Sequence, residues 1–374
     1  IAPSPTREPN HRAFAREMEA GDFVRVRKAF ADAAARAQEA GLDGVEILAA
    51  AHQLLDSFLS PAINRRTDGY GGSVENRARF PLEVLAAVRD RVGAGFVVGL
   101  RLSGDELQAG GLGPAECLTF AEIFARSGLI DYLSVYQGTG DTPAALADML
   151  PDMTYPEGAF LHLASAVRAR VAVPVFHASA VRGLDTAARA VAEGHVDAIA
   201  MTRGHIADPH IVAKMAEGRA DDIRPCVGAN YCVDFGGHAG ICLHNAATGR
   251  ERALPHVLPR ARRPRRIVIV GGGPGGLEAA RCATERGFEA ILFEAEPALG
   301  GQLARAARLP QRERLAGIVR WREAQLRKAG ADLRPGQRAD AGSILAEAPD
   351  VVILATGGVP RRPGIAGAEH CQTA

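Results

Sequence analysis

Three of the six cysteines fall in one stretch, RPCVGANYCVDFGGHAGICLHN at 224–245, as Cys226, Cys232 and Cys242. Thiolates at this density suit a metal centre in a reducing compartment; the alternative is three small apolar side chains that share a loop. Cys117, Cys282 and Cys371 are scattered, so no disulfide framework is implied. A second chemical pattern lies downstream. The apolar run IVIV at 267–270 leads into Gly271, Gly273 and Gly276, a helix-forming stretch starts at Leu277, and Glu294 closes the next β-rich run. Glycine suits this turn because the chain must bend sharply, admit a pyrophosphate to its backbone and pack helix on strand. An acid at the end of the following strand holds a ribose hydroxyl, which favours an unphosphorylated ribose: FAD, NAD or bare ADP.

Such groups need elements to position them. Five β-rich runs, DGVEIL at 43–48, FVVGLR at 96–101, DYLSVY at 131–136, VPVFH at 173–177 and DAIAMT at 197–202, alternate with helix-period stretches such as Glu75–Val92 and Asp185–Ala192. Repeated βα units predict a parallel sheet, here five strands of a (β/α)8 barrel whose complete form takes about 250 residues. The expected class is α/β: a partial TIM barrel over 1–222 with its first three strands absent, a cysteine loop and Pro/Arg-rich linker over 223–264, and an incomplete Rossmann-like dinucleotide-binding domain over 265–374. The chain starts at Ile1 without a methionine and stops soon after an apparent strand and turn, so both ends read as cut. With 44 Lys+Arg against 43 Asp+Glu in 374 residues, the charge balance gives no whole-chain attraction to nucleic acid. No apolar run long enough to span a bilayer and no charged-then-apolar leader is visible, so no membrane partner and a cytoplasmic setting are expected.

The segment GLDGVEILAAAHQLLDSFLSPAINRRTDGYGGSVENRARF at 41–80 resembles the signature of the Old Yellow Enzyme-type flavin oxidoreductases. Together with the cysteine loop and the glycine turn, it is similar to the multidomain branch that contains trimethylamine dehydrogenase and 2,4-dienoyl-CoA reductase. Within that branch, MTRGHIADPHIVAKMAEGRADDIRPCVGANYC at 201–232 looks like the N-methylproline and dimethylglycine demethylases. The resemblance implies FMN in the barrel, with Arg101 matching the family arginine beside the flavin N1/O2 edge, where a fixed guanidinium stabilises the charge gathered by reduced flavin. It places the FMN phosphate on backbone N–H groups of the last two βα loops, with Ala178, Ser179, Thr202 and Arg203 as the expected contacts. The usual glycines there are partly replaced by Ala and Ser, which leaves backbone donation intact.

Ene-reductases of this family carry two His, or His and Asn, as donors to a substrate carbonyl; the matching positions are Leu48 and Ala51, so those donors are missing. His52 and Gln53 are offset by one. The catalytic candidates are His52, which touches substrate or caps its loop, Tyr136, a pocket wall or a satisfied core tyrosine, and Asp141, two residues out of register with the acid of the amine dehydrogenases. The relatives bind a [4Fe–4S] cluster through C-x2-C-x2-C and a later cysteine, and here the four positions read Cys226, Ala229, Cys232 and Cys242. A cubane normally takes four thiolates, which leaves three alternatives: a cluster with a non-cysteine ligand such as His238 or water, a three-iron cluster, or an empty relic. The preferred function is oxidative N-demethylation of a small N-methylated amine or amino acid by a homo-oligomer, with electrons leaving FMN through any cluster to an external acceptor such as an electron-transfer flavoprotein. The rivals are an NAD(P)H-dependent enoate or 2,4-dienoyl-CoA reductase and a non-catalytic subunit with a flavin fold.

Overall fold

A computed structural model describes residues 1–7, 12–233, 240–358 and 364–370. The chain divides into two compact units, Ile1–Thr202 and Arg203–Ala374. The first opens with a short antiparallel ribbon, β1 (Thr6–Arg7) and β2 (Phe14–Ala15), and α1 (Ala20–Glu39). Then β3 (Gly44–Ala49), α2 (Leu54–Leu59), α3 (Val74–Val92), β4 (Val97–Ser103), α4 (Pro114–Arg126) and β5 (Tyr132–Tyr136) follow, and α5 (Pro143–Met149), α6 (Leu161–Arg168), β6 (Val175–His177), α7 (Leu184–Ala192) and β7 (Ala198–Ile199) complete it. All five expected strands form, in one parallel sheet of order β3-β4-β5-β6-β7. Neighbours in sequence are neighbours in space, as in a TIM-type barrel, where each helix returns the chain to the next strand.

Side chains alternate across this sheet with the period of two that strands impose. Ile47, Ala49, Val98, Leu100, Leu102, Leu133, Val135 and Val175 bury against the helices in one core. The opposite face carries Glu46, Leu48, Arg101, Tyr132 and Tyr136, with Leu48 registered to Arg101 and Ser103 to Tyr136. Beneath the sheet, Phe23, Phe58, Tyr70 and Phe80 pack ring on ring, with centroids 4.3 Å apart for Phe23–Tyr70 and 4.7 Å for Phe58–Phe80. Phe80 is fully buried; its truncation to Ala costs about 3–5 kcal/mol.

The 41–80 signature acts here as scaffold. Asn64 Nδ2 donates to the carbonyls of Phe58 (2.7 Å) and Tyr70 (2.8 Å), Arg66 reaches the carbonyls of Pro3 and Met18, and the buried Arg77 donates to Leu59 O and pairs with Glu116. These bonds satisfy the carbonyls of Leu59 and Tyr70 and tie the irregular 59–73 segment to Phe58, Pro3 and Met18.

The second unit holds α8 (Thr202–Ala207), which begins at the division, α9 (Ile211–Ala216), β8 (Arg266–Val270), α10 (Pro274–Glu285), β9 (Glu289–Glu294) and α11 (Gly301–Ala306). It continues through α12 (Ala316–Lys328), β10 (Asp332–Pro335), α13 (Ala341–Ala346) and β11 (Val351–Leu354). Its four strands form a parallel sheet of order β10-β9-β8-β11, the crossed-over pattern of a dinucleotide-binding domain. The division between compact units falls at 202/203, inside the 1–222 span expected for the barrel. Thr248 Oγ1 and Asn245 Nδ2 donate to Ile206 O and Ala207 O (2.9 and 3.1 Å), and Arg224 N donates to Asp208 (2.8 Å), which ties 203–222 to the cysteine segment. Among the described residues, no helix is long and apolar enough to cross a membrane.

Candidate active site

The chain leaves β3 through two non-glycine residues in the left-handed region, Ala51 (φ 59°) and His52 (φ 56°). Such backbone costs about 1–3 kcal/mol per residue and persists only where surrounding bonds fix it. Here His52 N donates to Asp56 Oδ2 (2.7 Å), Ser57 Oγ donates to His52 O (3.0 Å), and Gln53 N donates to Ala50 O (3.2 Å). The turn aims the His52 ring between two acids. Its Nδ1 bonds Asp141 Oδ2, from the loop after β5, and its Nε2 lies 3.3 Å from Glu106 Oε1, from the loop after β4. The ring is 5% exposed and Glu106 is fully enclosed, while the Asp141 side chain keeps 26% of its surface open.

Burial pulls the His52 pKa down, but the bonds to Asp141 and Glu106 outweigh it and push it up to about 10, so the ring is an imidazolium across the neutral range. Behind it Asp56, also fully buried, is pushed up to about 7, by burial first and the Glu106 charge second, against the opposing His52 N–H. His52, Asp56 and Glu106 bring potential ligand atoms within 4.8 Å of one another. Most of the donor set is hydrogen-bonded: Glu106 Oε2 accepts from Ser60 Oγ (2.9 Å) and Leu112 N (2.8 Å), and Asp56 accepts from His52 N and, at 3.4 Å, Ser103 Oγ. His52 Nε2 and Glu106 Oε1 are left to face each other as an ion pair at 3.3 Å, with no hydrogen bond to either atom among the described residues. Sequence reading singled out neither Asp56 nor Glu106; the signal available was the acid pair in SGDE at the end of β4.

Arg101 sits near the end of β4, its Nε 2.7 Å from Glu46 Oε1 and its guanidinium carbon 5.6 Å from the Tyr136 ring centre. Only Nε is paired among the described residues, which leaves the Nη donors for another group. Tyr136 donates its hydroxyl to Met149 O (2.7 Å), so it is a fixed ring and its proton is engaged. In the loop after β6, Ser179 Oγ accepts from Gln137 Nε2 (2.7 Å) and Ser179 O faces His177 Nε2 (3.1 Å). The next amides, Arg182 N and Gly183 N, donate to Glu157. Between them the backbone N–H groups of Ala178, Ser179, Ala180 and Val181 meet no acceptor among the described residues, and Ala180 takes φ 50°. Successive unclaimed amides around a left-handed residue form an anion-binding concavity, which fits the phosphate of FMN. Thr202 closes the first unit at the start of α8; Arg203 opens the second, where Nη1 donates to Asn230 Oδ1 (2.5 Å).

In the second unit the three glycines divide their labour. At Gly271 (φ 108°) a Cβ would lie 2.3 Å from Ala355 O, at Gly276 one would lie 1.8 Å from Gly271 O, and at Gly273, which caps α10, one would meet open space. The first fixes the turn, the last allows helix and strand to touch, and the middle one leaves the approach to the helix N-terminus clear. Glu294 ends β9, with Oε2 accepting from Gly272 N (2.6 Å) and Oε1 from Glu296 N (2.8 Å). This locks the carboxylate beside the turn.

Cys226, Ala229, Cys232 and Cys242 all line one hollow with Arg203, Asn230 and His244. The five described cysteines stand outside disulfides. Burial, then the charges of Cys226 and Cys242, raises the Cys232 thiol, so the three sulfurs face a common space. At the second ligand position the wall is a methyl group. The set thus fits a cluster through three thiolates and lacks the fourth; His238 lies outside the described residues.

Comparison with known proteins gives consistent results. Residues 2–222 match the sequence profile of the NADH:flavin oxidoreductase / NADH oxidase family, and residues 266–337 match that of the FAD dependent oxidoreductases. The chain is 48% identical to the N,N-dimethylglycine/sarcosine dehydrogenase of Chromohalobacter salexigens, over 96% of this chain and 52% of that protein. It is 47% identical to a probable N-methylproline demethylase of Rhizobium meliloti, over 96% of this chain and 53% of the relative. Among solved structures, a 2-naphthoyl-CoA reductase superposes with a TM-score of 0.93 at 33% identity, covering 99% of this chain and 56% of that one. The chain spans about half the length of the curated relatives it matches.

Proposed function

The chain belongs to the NADH:flavin oxidoreductase / NADH oxidase family, and from that premise we propose that it is the flavin-binding part of a dehydrogenase that demethylates small N-methylated amines or amino acids. The observation that carries this reading is the Asp141–His52–Glu106 array at the end of the sheet, where an alkene-reducing relative would need donors to the carbonyl of its substrate. Leu48 and Ala51 offer none, while a half-open carboxylate held by an imidazolium suits a cationic amine.

Hydride loss from an N-methyl carbon requires the nitrogen lone pair, so the substrate must shed its ammonium proton first. Asp141, with part of its surface open, receives that proton. His52 does not reach substrate: both ring nitrogens are engaged, and it serves as a positioning residue that holds Asp141 in place. Glu106 fixes the ring from behind. Arg101 and the amides at 178–181 hold FMN, Tyr136 forms a wall of the pocket, and Thr202 completes the proposed phosphate contacts of the first unit. Flavin bound there would supply the acceptor for the hydride, and water would hydrolyse the resulting substrate iminium to formaldehyde and the demethylated amine. Gly271, Gly273, Gly276 and Glu294 hold FAD or ADP, and Cys226, Cys232 and Cys242 supply three thiolates to an iron–sulfur cluster on the way to an external acceptor such as an electron-transfer flavoprotein. Cysteines outside disulfides fit a cytoplasmic setting, and the whole protein is taken to be a homo-oligomer.

The test is anaerobic bleaching of the flavin absorbance of the full-length protein with sarcosine, dimethylglycine, N-methylproline, a dienoyl-CoA and NADH, with formaldehyde measured alongside. Bleaching and formaldehyde with an N-methyl amino acid are expected. Oxidation of the reduced flavin by the dienoyl-CoA, with no formaldehyde from any amine, would install the reductase reading instead.

A further inference from the structure

Within the second unit, away from the glycine turn and the cysteine hollow, a cavity of about 380 Å³ opens among α9, the segment around Arg224 and the C-terminal turns of α10 and α12. That size lies in the range of small-molecule sites. Five cationic side chains line it, Lys214, Arg219, Arg224, Arg281 and Lys328, against three acids, Asp208, Asp222 and Glu285. Four of the cations are already answered. Lys214 pairs with Asp208 (2.6 Å), Lys328 with Asp222 (2.7 Å), Arg281 with Glu278 (2.8 Å) and Glu285, and Arg219 with Glu217 and, at 3.4 Å, Asp222.

Arg224 is the exception. Its guanidinium carbon lies 4.7 Å from the centre of the Trp321 ring, and its Nε is buried and meets no acceptor. No carboxylate stands within ion-pair distance of it among the described residues; burial and the charges of Arg281 and Arg322 work against its own charge, and Glu278 and Asp208 favour it from a distance. The indole face offsets part of the cost of burying this charge, and the planar fork of guanidinium donors matches an oxyanion. The Trp321 edge is itself committed, since its Nε1 donates to Asp222 O (3.2 Å). His210 and His256, with ring centres 6.2 Å apart on the same wall, add further polar surface.

We propose that this cavity is a second ligand site, separate from both flavin-type sites, which binds a small organic anion through a carboxylate or phosphoryl group held by Arg224. The site also borders the cysteine segment. His244 packs edge-on against Trp321 with ring centres 5.2 Å apart, its ring Nδ1 lies 3.1 Å from Pro225 O, and its amide N lies 3.4 Å from Cys242 Sγ. Trp321, against which Arg224 lies, thus also touches the residue that follows the thiolate segment.

Calorimetry on the full-length protein at low ionic strength, with citrate and inorganic pyrophosphate as probes, tests this. One equivalent of at least one probe should bind, at least tenfold more weakly in Arg224→Gln and with unchanged affinity in Gly273→Val; citrate alone would mark a carboxylate site, and pyrophosphate alone a phosphoryl site. Hydrogen exchange on the unmutated protein serves if Arg224→Gln does not fold: the bound probe should protect amides at 208–224 and 321–328. Absence of binding by both probes, binding indifferent to Arg224→Gln, or protection confined to 271–276 would overturn the proposal.

Discussion

Replacing Glu106 by Gln should return His52 to the neutral titration range. In the native protein the His52 pKa stands at about 10, against roughly 6.5 in an unfolded chain. Glu106 Oε1 lies 3.3 Å from Nε2; opposite unit charges at that separation attract by roughly 5 kcal/mol at an effective dielectric near 20, an upper figure equal to about 3 to 4 pKa units. Losing that attraction takes His52 to roughly pH 7, with Asp141 still bound at Nδ1. The sign for stability follows. A raised imidazole pKa contributes stability that is fully present below about pH 6.5 and is lost as pH rises through about 10. Asp56, held at about 7, acts in the same direction at lower pH, because the folded chain keeps a proton that the unfolded chain releases near 4. The unmutated protein should therefore lose stability steadily from mildly acid to alkaline pH, and Glu106→Gln should remove most of the loss between 7 and 10. Titration of nitrogen-15-labelled histidine by NMR gives the pKa directly, and denaturant unfolding from pH 6 to 10 gives the slope. A His52 signal that still titrates near 10 in Glu106→Gln would refute the clamp.

Arg101→Ala should slow flavin reduction by the productive amine by on the order of 10²–10³, the loss typical of one preorganised charge-stabilising donor; stopped-flow rates equal to those of the unmutated protein would make Arg101 structural. The glycines of the dinucleotide turn should separate in kind: Gly273→Val, which points into open space, should keep its melting temperature and lose the second nucleotide, whereas Gly276→Val, whose Cβ would sit 1.8 Å from Gly271 O, should lose stability outright. Nucleotide release assays and thermal melts of the two variants tell these apart. Ala229→Cys should complete a four-thiolate set and raise iron toward four per chain, read by iron and sulfide assay with low-temperature EPR; no iron in either form would leave the loop a relic.

The frame was legible because it rests on local rules. Runs such as FVVGLR and DYLSVY can bury one face and pair on both edges, and β4 and β5 form where those runs lie. The turn at 271–276 was equally readable, since its glycines answer to backbone sterics within a few residues. The clamp was not. His52 and Asp141 are 89 residues apart and Ser60 and Glu106 are 46 apart, and only the parallel register, which brings the ends of β3, β4 and β5 to one edge, puts them together. Position by position, the chain leaves open whether His52 touches substrate or caps its loop; its enclosed ring follows Ala51 and His52 through a left-handed turn, a choice with no glycine or asparagine to announce it. The bonds from Asn245 and Thr248 to the carbonyls of Ala207 and Ile206 were hidden for a related reason, since their partners lie some forty residues apart in the chain.

The left-handed pair also bears on how these flavoproteins exchange one chemistry for another. A histidine introduced at Ala51, to rebuild a carbonyl donor, would inherit φ 59°, and its Cβ would leave the backbone in a direction set by that turn and not by an extended strand end. His52 would meanwhile keep its hold on both acids. Single substitutions at 48 or 51 are therefore poor routes between amine oxidation and alkene reduction on this scaffold. Recombination that transplants the segment from 48 to 57 together with the acids at 106 and 141 moves the backbone geometry and the charges it serves as one inherited block.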